Sequence, residues 1–228
     1  MSKGFFIVFE GPDGSGKSTQ SELLYKKLSA DGYSCVKTEE PGGTLEGEKI
    51  RDLLLNPVFN LCPKAELFLF LADRSEHVNR IIYPELNDGK IVICSRYIYS
   101  TLVYQGFARK IVEIEFLKKI NMFAVNDIVP NIVFYLDIIP EKGLSKAKKN
   151  TFKKYYFQGG DRIEMEGISF QHRVREGYLS LASQYSSIFT LIKCDRSIQE
   201  INNNIYNLTK RRLKNDRNGK NRKGQNKR

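Results

Sequence analysis

The segment Gly11-Pro-Asp-Gly-Ser-Gly-Lys17-Ser18, directly after the apolar run Phe5-Phe-Ile-Val-Phe9, constrains this chain more than any other. It reads G-x-x-x-x-G-K-S on a strand-to-helix turn. The glycines let successive backbone N–H groups curl around an anion, Lys17 brings a positive charge, and Ser18 offers a hydroxyl to Mg²⁺. The helix that follows adds the positive end of its dipole. Leu23, Leu24 and Leu28 recur there at helical spacing, with Glu22, Lys26 and Lys27 between them. Gly11, Pro12, Asp13, Gly14, Ser15, Gly16, Lys17, Ser18 and Thr19 therefore form a candidate site for nucleotide phosphates, with Ser18 as metal ligand.

Apolar runs at 5–9, 35–37, 91–94, 132–136 and 189–194 read as buried strands, and segments of helical periodicity such as 65–86 and 111–125 separate them. Strands alternating with helices predict an α/β fold, a five-stranded parallel sheet with helices on both faces. Ligands bind beyond the carboxyl ends of such strands. That singles out the P-loop, the turn Glu39-Glu40-Pro41-Gly42-Gly43-Thr44, the tripeptide Ser95-Arg96-Tyr97, and Asp137. Ser197-x-x-Glu200 is a capping box that opens the last helix.

Periodicity breaks down from 142 to 160. Lys146, Lys148, Lys149, Lys153 and Lys154 cluster there, followed by Tyr155-Tyr156-Phe157 and Gly159-Gly160-Asp161-Arg162. In a nucleotide-binding α/β domain this reads as a lid over 142–162 that closes on phosphates and excludes water. A solvated loop and an RNA patch with stacking aromatics are the competing readings.

With 228 residues, 41% of them hydrophobic, residues 1–209 suffice for one domain with a full core. No run approaches the roughly 20 apolar residues of a membrane span, and the N-terminus does not read as a signal peptide. The four cysteines lack CxxC spacing, and only His77 and His172, read as surface or helix-packing residues, stand to join them. Neither a zinc site nor a disulfide framework is expected; free thiols in a reducing cytoplasm are. The net charge of +11 is concentrated in residues 210–228, which carry +9 and leave +2 for the rest. That tail is expected to be disordered and solvated, with a weak electrostatic tether to RNA or an acidic partner as the alternative.

Several segments together resemble bacterial thymidylate kinases over about residues 4–205. They are Phe9-Glu-Gly-Pro-Asp-Gly-Ser-Gly-Lys-Ser-Thr19, Glu40-Pro-Gly-Gly-Thr44, Gly47 to Leu55, Leu67 to Val78 with its Ala-Asp-Arg, Ser95-Arg-Tyr97 with Ser100-Thr-Leu-Val-Tyr-Gln-Gly106, and Leu136-Asp-x-x-Pro-Glu141 with Asp161-Arg-Ile-Glu164. The resemblance implies a P-loop fold of the nucleoside-monophosphate-kinase type, ATP and dTMP as partners, Mg²⁺ as cofactor, and a homodimer. It implies that Lys17 and the loop amides hold the ATP phosphates, that Asp13 meets the sugar 3′-OH, and that Arg51 and Arg96 grip the dTMP phosphate through their planar forks. Phe70 would stack on thymine, Arg74 and Thr101 would meet the base edge, Tyr104 and Gln105 would line the sugar pocket, and Pro41, as a cis proline, would shape its floor. Phe70 and Tyr104 also fit plain core positions. Arg74 and Arg96 also fit ion pairs with Asp73 or Glu40.

Catalysis would be positioning plus charge neutralisation, with Lys17, Arg96 and the lid's Arg162 as the catalytic cations, helped by Lys146, Lys148 or Lys149. The chain departs from the family at Ser95, where an Asp that helps hold hydrated Mg²⁺ is usual, and at Glu39, where an arginine is common. Two alternatives stand beside this reading: another nucleoside or nucleotide kinase of this fold, and, motivated by Ser95 and the basic tail, a catalytically weak nucleotide-binding or RNA-associated protein.

Overall fold

The computed structural model of the chain describes residues 4–149, 163 and 166–225. Five strands, β1 (Phe5–Glu10), β2 (Cys35–Glu39), β3 (Ile91–Ser95), β4 (Ile132–Asp137) and β5 (Phe189–Lys193), form one sheet in the order β2-β3-β1-β4-β5. Every neighbouring pair is parallel. The three central strands are buried along nearly their whole length, whereas β2 and β5 at the edges alternate with half-buried and exposed positions. Strands covered on both faces read as unbroken apolar runs, which is why the sequence located them within a residue or two.

Alternation along the central strands sorts side chains into two cores. Ile7, Phe9, Ile93 and Phe134 pack with Leu24 and Leu28 of α1 (Lys17–Ala30) and with Ile201, Ile205 and Leu213 of α9 (Ile198–Gln225). On the other face, Phe6, Val8, Val92 and Tyr135 pack with helices that include α3 (Pro63–His77) and α8 (Ile168–Gln184). The remaining helices are α2 (Leu45–Leu55), α4 (Tyr83–Asn87), α5 (Ile98–Thr101), α6 (Ile114–Ala124) and α7 (Pro140–Lys149). Two π-helical stretches extend α3 and α5, at Val78–Ile82 and Leu102–Ala108. The single helix expected over 65–86 is thus a helix, a π stretch and a short helix in series.

The expectation for the tail is corrected, and that for the lid falls mostly outside the described residues. The basic tail does not begin as disordered chain at 210: α9 continues to Gln225. Leu213 is only 6% exposed in the core, and Lys210 pairs with Asp31 at 2.6 Å and lies over the Tyr33 ring. One apolar anchor and a run of helix-favouring Lys and Arg outweigh the charge of the segment. The lid segment, in turn, starts as helix: α7 holds residues 142–149, and its buried Gly143 lies close against the Asp13 carbonyl. Residues 150–162, including Arg162, lie outside the described residues, as do the side chains of Lys148 and Lys149. The Ser197–Glu200 capping box forms, with Glu200 N–H donating to Ser197 Oγ at 3.2 Å and Ser197 N–H to Glu200 Oε2 at 3.0 Å.

Candidate active site

All five strands end on one side of the sheet, and the candidate residues gather there. After β1 the chain turns at Gly11 (φ 147°), where a Cβ would sit 2.8 Å from the Leu136 carbonyl, and Gly16 (φ 95°) takes the left-handed conformation that opens α1. Only glycine meets both demands cheaply. The Lys17 ammonium folds back over the loop and donates to the Gly11 and Pro12 carbonyls at 2.9 and 2.8 Å. Ser18 and Thr19 are exposed at the helix start.

Arg96 follows β3 and reaches into this loop. Its Nη2 donates to Asp13 Oδ1 at 2.6 Å and its Nη1 to the Gly11 carbonyl at 3.2 Å, while its guanidinium lies 5.2 Å from the centre of the Tyr104 ring. The ion pair weighed for Arg96 is thus made with Asp13, not with Asp73 or Glu40.

For Arg74 the weighed ion pair is the one observed. The arginine is 2% exposed; its Nε donates to Glu40 Oε2 at 2.7 Å, its Nη1 to Thr101 Oγ1 and Asn121 Oδ1, both at 2.6 Å, and its Nη2 to the Tyr97 carbonyl at 3.0 Å. His77 is fully buried; its Nδ1 is 3.1 Å from Glu40 Oε1, and its Nε2 is 2.5 Å from Thr38 Oγ1. Glu40, His77 and Cys94 lie close enough to suggest a metal site. Both His77 nitrogens and both Glu40 oxygens already have hydrogen-bond partners, so the cluster is a polar network. Burial alone would raise the Glu40 carboxyl, yet Arg74 and His77 hold it below its usual value. Asp73, by contrast, is pushed up to about 7 by burial and then by the charge of Glu40, while its Oδ1 accepts the Gly42 N–H at 2.9 Å. The Glu40–Pro41 bond is cis, and the Pro41 carbonyl accepts from Arg51 Nη1. Gln105 Nε2 is anchored on the buried Glu66 at 2.8 Å.

These halves face one cavity of about 1050 Å³. Asp13, Gly14, Ser15, Gly16, Lys17, Ser18, Thr19, Pro41, Arg51, Phe70, Arg74, Arg96, Thr101, Tyr104 and Gln105 line it, and so do Ser95, Glu39 and Lys146. Gly11 and Pro12 stand behind it, supporting Lys17 through their carbonyls. Phe70 is half-buried and Tyr104 5% exposed, both packed in the core on α8's side of the sheet and both facing the cavity, so core and site readings hold together. Sequence reasoning missed Gln20, Cys194, Arg196, Ile198 and Ile201, which also line the cavity. The strand-end rule, applied to β5 as to the others, would have pointed to Cys194 and Arg196. It also missed Asn121 and Glu10, which no local pattern marks.

The donors near the P-loop suit a hard cation: the Ser18 and Ser95 hydroxyls and the Asp13 and Glu39 carboxylates are all oxygens. Cys194, the thiol on the cavity wall, is pushed up to about 11 by burial and stays protonated.

Fold and site define a P-loop phosphotransferase of the nucleoside-monophosphate-kinase type. A family model described as thymidylate kinase matches residues 9–205. A thymidylate kinase of Halothermothrix orenii is 42% identical over 208 residues, 91% of this chain and 97% of that protein. One of Pelotomaculum thermopropionicum is 44% identical over 196 residues, 86% of this chain and 88% of that protein. The crystal structure of thymidylate kinase from Ehrlichia chaffeensis superposes with a TM-score of 0.73 at 32% identity, covering 90% of this chain and 98% of that one. The chain belongs to the thymidylate kinase family.

Proposed function

We propose that the chain transfers the γ-phosphate of ATP to the 5′-phosphate of dTMP, giving dTDP and ADP for dTTP synthesis. One observation carries this reading: a single cavity is lined both by Lys17 and Ser18 of the P-loop and by Arg51, Arg96, Phe70 and Tyr104. A phosphate oxygen of dTMP is the nucleophile and needs no general base, so the protein's work is alignment and charge neutralisation. Lys17 and the loop N–H groups from Asp13 to Thr19 hold the donor phosphates. Arg51 and Arg96 hold the acceptor phosphate, and the Asp13–Arg96 pair ties it to the donor loop. Phe70 stacks on the base, with Arg74 and Thr101 at its edge; Pro41, Tyr104 and Gln105 shape the sugar pocket. Ser18 would hold Mg²⁺, which when bound neutralises charge on the transferring phosphates. The cation that neutralises the moving phosphoryl group is assigned to Arg162, which lies outside the described residues, helped by Lys146, which lines the cavity.

Among the described residues no helix is long and apolar enough to cross a membrane, and the four cysteines are free. A cytoplasmic setting fits those thiols. The exposed Phe68 of α3 and Phe116 and Phe123 of α6, the last 87% exposed, support a homodimer through these adjacent helices. Light scattering of Phe123→Glu beside the native chain tests it.

The decisive assay measures ADP release with dTMP, dUMP, dCMP and thymidine across a Mg²⁺ titration. Turnover is expected to be best with dTMP and to require Mg²⁺. Best turnover on thymidine would identify a nucleoside kinase instead. Absence of transfer to any of the four would leave a nucleotide-binding protein.

A further inference from the structure

Glu10, the last residue of β1, is fully buried, and the reaction gives it no task. It does not line the cavity. Its Oε1 accepts the backbone N–H groups of Tyr97 and Ser100 at 3.0 and 3.2 Å, and its Oε2 accepts the hydroxyls of Ser100 and Tyr178 at 2.7 and 2.8 Å. The two hydroxyls lie 3.0 Å from each other. Burial raises the Glu10 carboxyl, while these donors and the charge of Arg96 oppose that rise. A buried carboxylate persists only when so engaged.

Where the donors sit is informative. Tyr97 is the residue before α5, a helix of 4 residues with no side-chain cap of its own, and Ser100 lies within it. The residue before Tyr97 is Arg96, which holds φ 70°, a left-handed conformation that costs free energy outside glycine and survives only where its surroundings dictate it. Two consecutive bonds dictate it here. The Arg96 N–H donates to the Phe9 carbonyl at 2.8 Å, and the Tyr97 N–H donates to Glu10. Both acceptors belong to the end of β1, one and two residues before Gly11. The Ser100 hydroxyl, held by Glu10, also stands 3.3 Å from Arg96 Nη1.

We propose that Glu10 is the positioning residue of Arg96: a buried carboxylate at the end of the P-loop strand that clamps the 96–100 turn and so sets the acceptor-phosphate arginine in register with the donor loop. This rests on the assignment of Arg96 as a grip on the dTMP phosphate. The clamp gives the two halves of the cavity a common origin, because the P-loop and the Arg96 turn are both measured from the last two residues of β1. Errors in the clamp therefore appear chiefly as misplacement of the acceptor: Lys17 is held by the Pro12 carbonyl as well as by the Gly11 carbonyl that it shares with Arg96.

The test compares Tyr178→Phe, Glu10→Gln and Arg96→Lys with the native chain, measuring KM for dTMP and for ATP separately together with thermal melting. Tyr178→Phe removes one donor and keeps the ring stacked 5.0 Å from Tyr135, so it folds even where Glu10→Gln does not. Loss of one charge-assisted bond is expected to raise KM for dTMP about threefold to tenfold with KM for ATP unchanged, and Glu10→Gln to raise it further. A raised KM in Arg96→Lys, with dTMP KM unaltered in Tyr178→Phe and in any folded Glu10→Gln, sinks the proposal alone. An unaltered dTMP KM in Arg96→Lys sinks the assignment of Arg96 and the proposal with it. A lower melting temperature with both KM values intact in the clamp variants likewise makes Glu10 a purely structural residue and overturns the idea.

Discussion

The two ends of the cavity are built in opposite ways. The P-loop end, proposed to hold the phosphoryl donor, is a short, continuous stretch of chain whose working groups are mostly backbone N–H and carbonyl groups, shaped by Gly11 and Gly16. The acceptor end is assembled from side chains of the 40–44 turn, α2, α3, α5 and α6, and its key cation, Arg74 of α3, is buried beneath partners from three of those places and from Tyr97. A backbone site depends on local dihedral preferences. A side-chain site made of buried charges depends on distant partners arriving together, since each charge left alone inside the protein is strongly unfavourable. The donor end is therefore robust to packing changes and fragile to changes in the loop; the acceptor end is the reverse.

The largest effects should separate the ends most cleanly. Lys17→Met should lower kcat on the order of 10²–10³-fold while leaving the fold intact, because it removes a charge that acts on the moving phosphates; a melting curve that collapses together with activity would break the contrast. Glu40→Ala should do the opposite. It strands Arg74 in the interior and should destabilise the protein by about 3–5 kcal/mol, read by urea unfolding; a loss under about 1 kcal/mol would show that the acceptor network tolerates a missing partner.

Asp73 gives a pH signature of the same end. Its carboxyl rises from 3.8 to about 7 in the fold, where it faces Glu40, Arg74 and His77 and accepts the Gly42 N–H. A raised acid binds more protons in the native state than in the unfolded state, so its contribution is full below about pH 4 and is lost as pH climbs through about 7. The melting temperature of the native chain should therefore fall relative to Asp73→Asn between about pH 5 and pH 8. Parallel curves would contradict it. A smaller effect is expected for Phe70→Ala, which should raise KM for dTMP about fivefold and leave ATP binding alone, since aromatic stacking is worth about 1 kcal/mol. Ser95→Asp should be the mildest: it adds a carboxylate to the cavity wall and should lower the Mg²⁺ concentration for half-maximal rate, and an unmoved Mg²⁺ curve would show that Ser95 has no bearing on the metal.

How much was legible follows the same division. The P-loop, the five strands and the capping box at Ser197 are patterns within a few consecutive residues, and they stand where the sequence placed them. Of the lining residues, Arg96 was singled out by its place after β3, whereas Phe70, Arg74 and Tyr104 were reached through the family resemblance. Their partners were not all foreseen: Arg74 pairs with Glu40 as weighed, but Arg96 turns to Asp13, and Asn121 enters from α6 with no signal in its surroundings. Glu10 looks like the unremarkable end of an apolar strand, yet it carries four hydrogen bonds. The tail was misjudged because composition averages over residues: Leu213 and Lys210, each with a docking place on the body, outweigh their charged neighbours.

The sequence by itself determined a parallel α/β sheet, a phosphate loop at the end of its first strand, and the side chains available to a second nucleotide. These depend on periodicity and on glycine geometry, which neighbours in the chain are enough to specify. Tertiary structure alone decided which charge meets which, that α9 continues as helix past 210, and that the strained turn at Arg96 is held by the strand bearing the P-loop. Buried charges choose partners by proximity and by the free energy of desolvation, and both exist only once the chain has closed on itself.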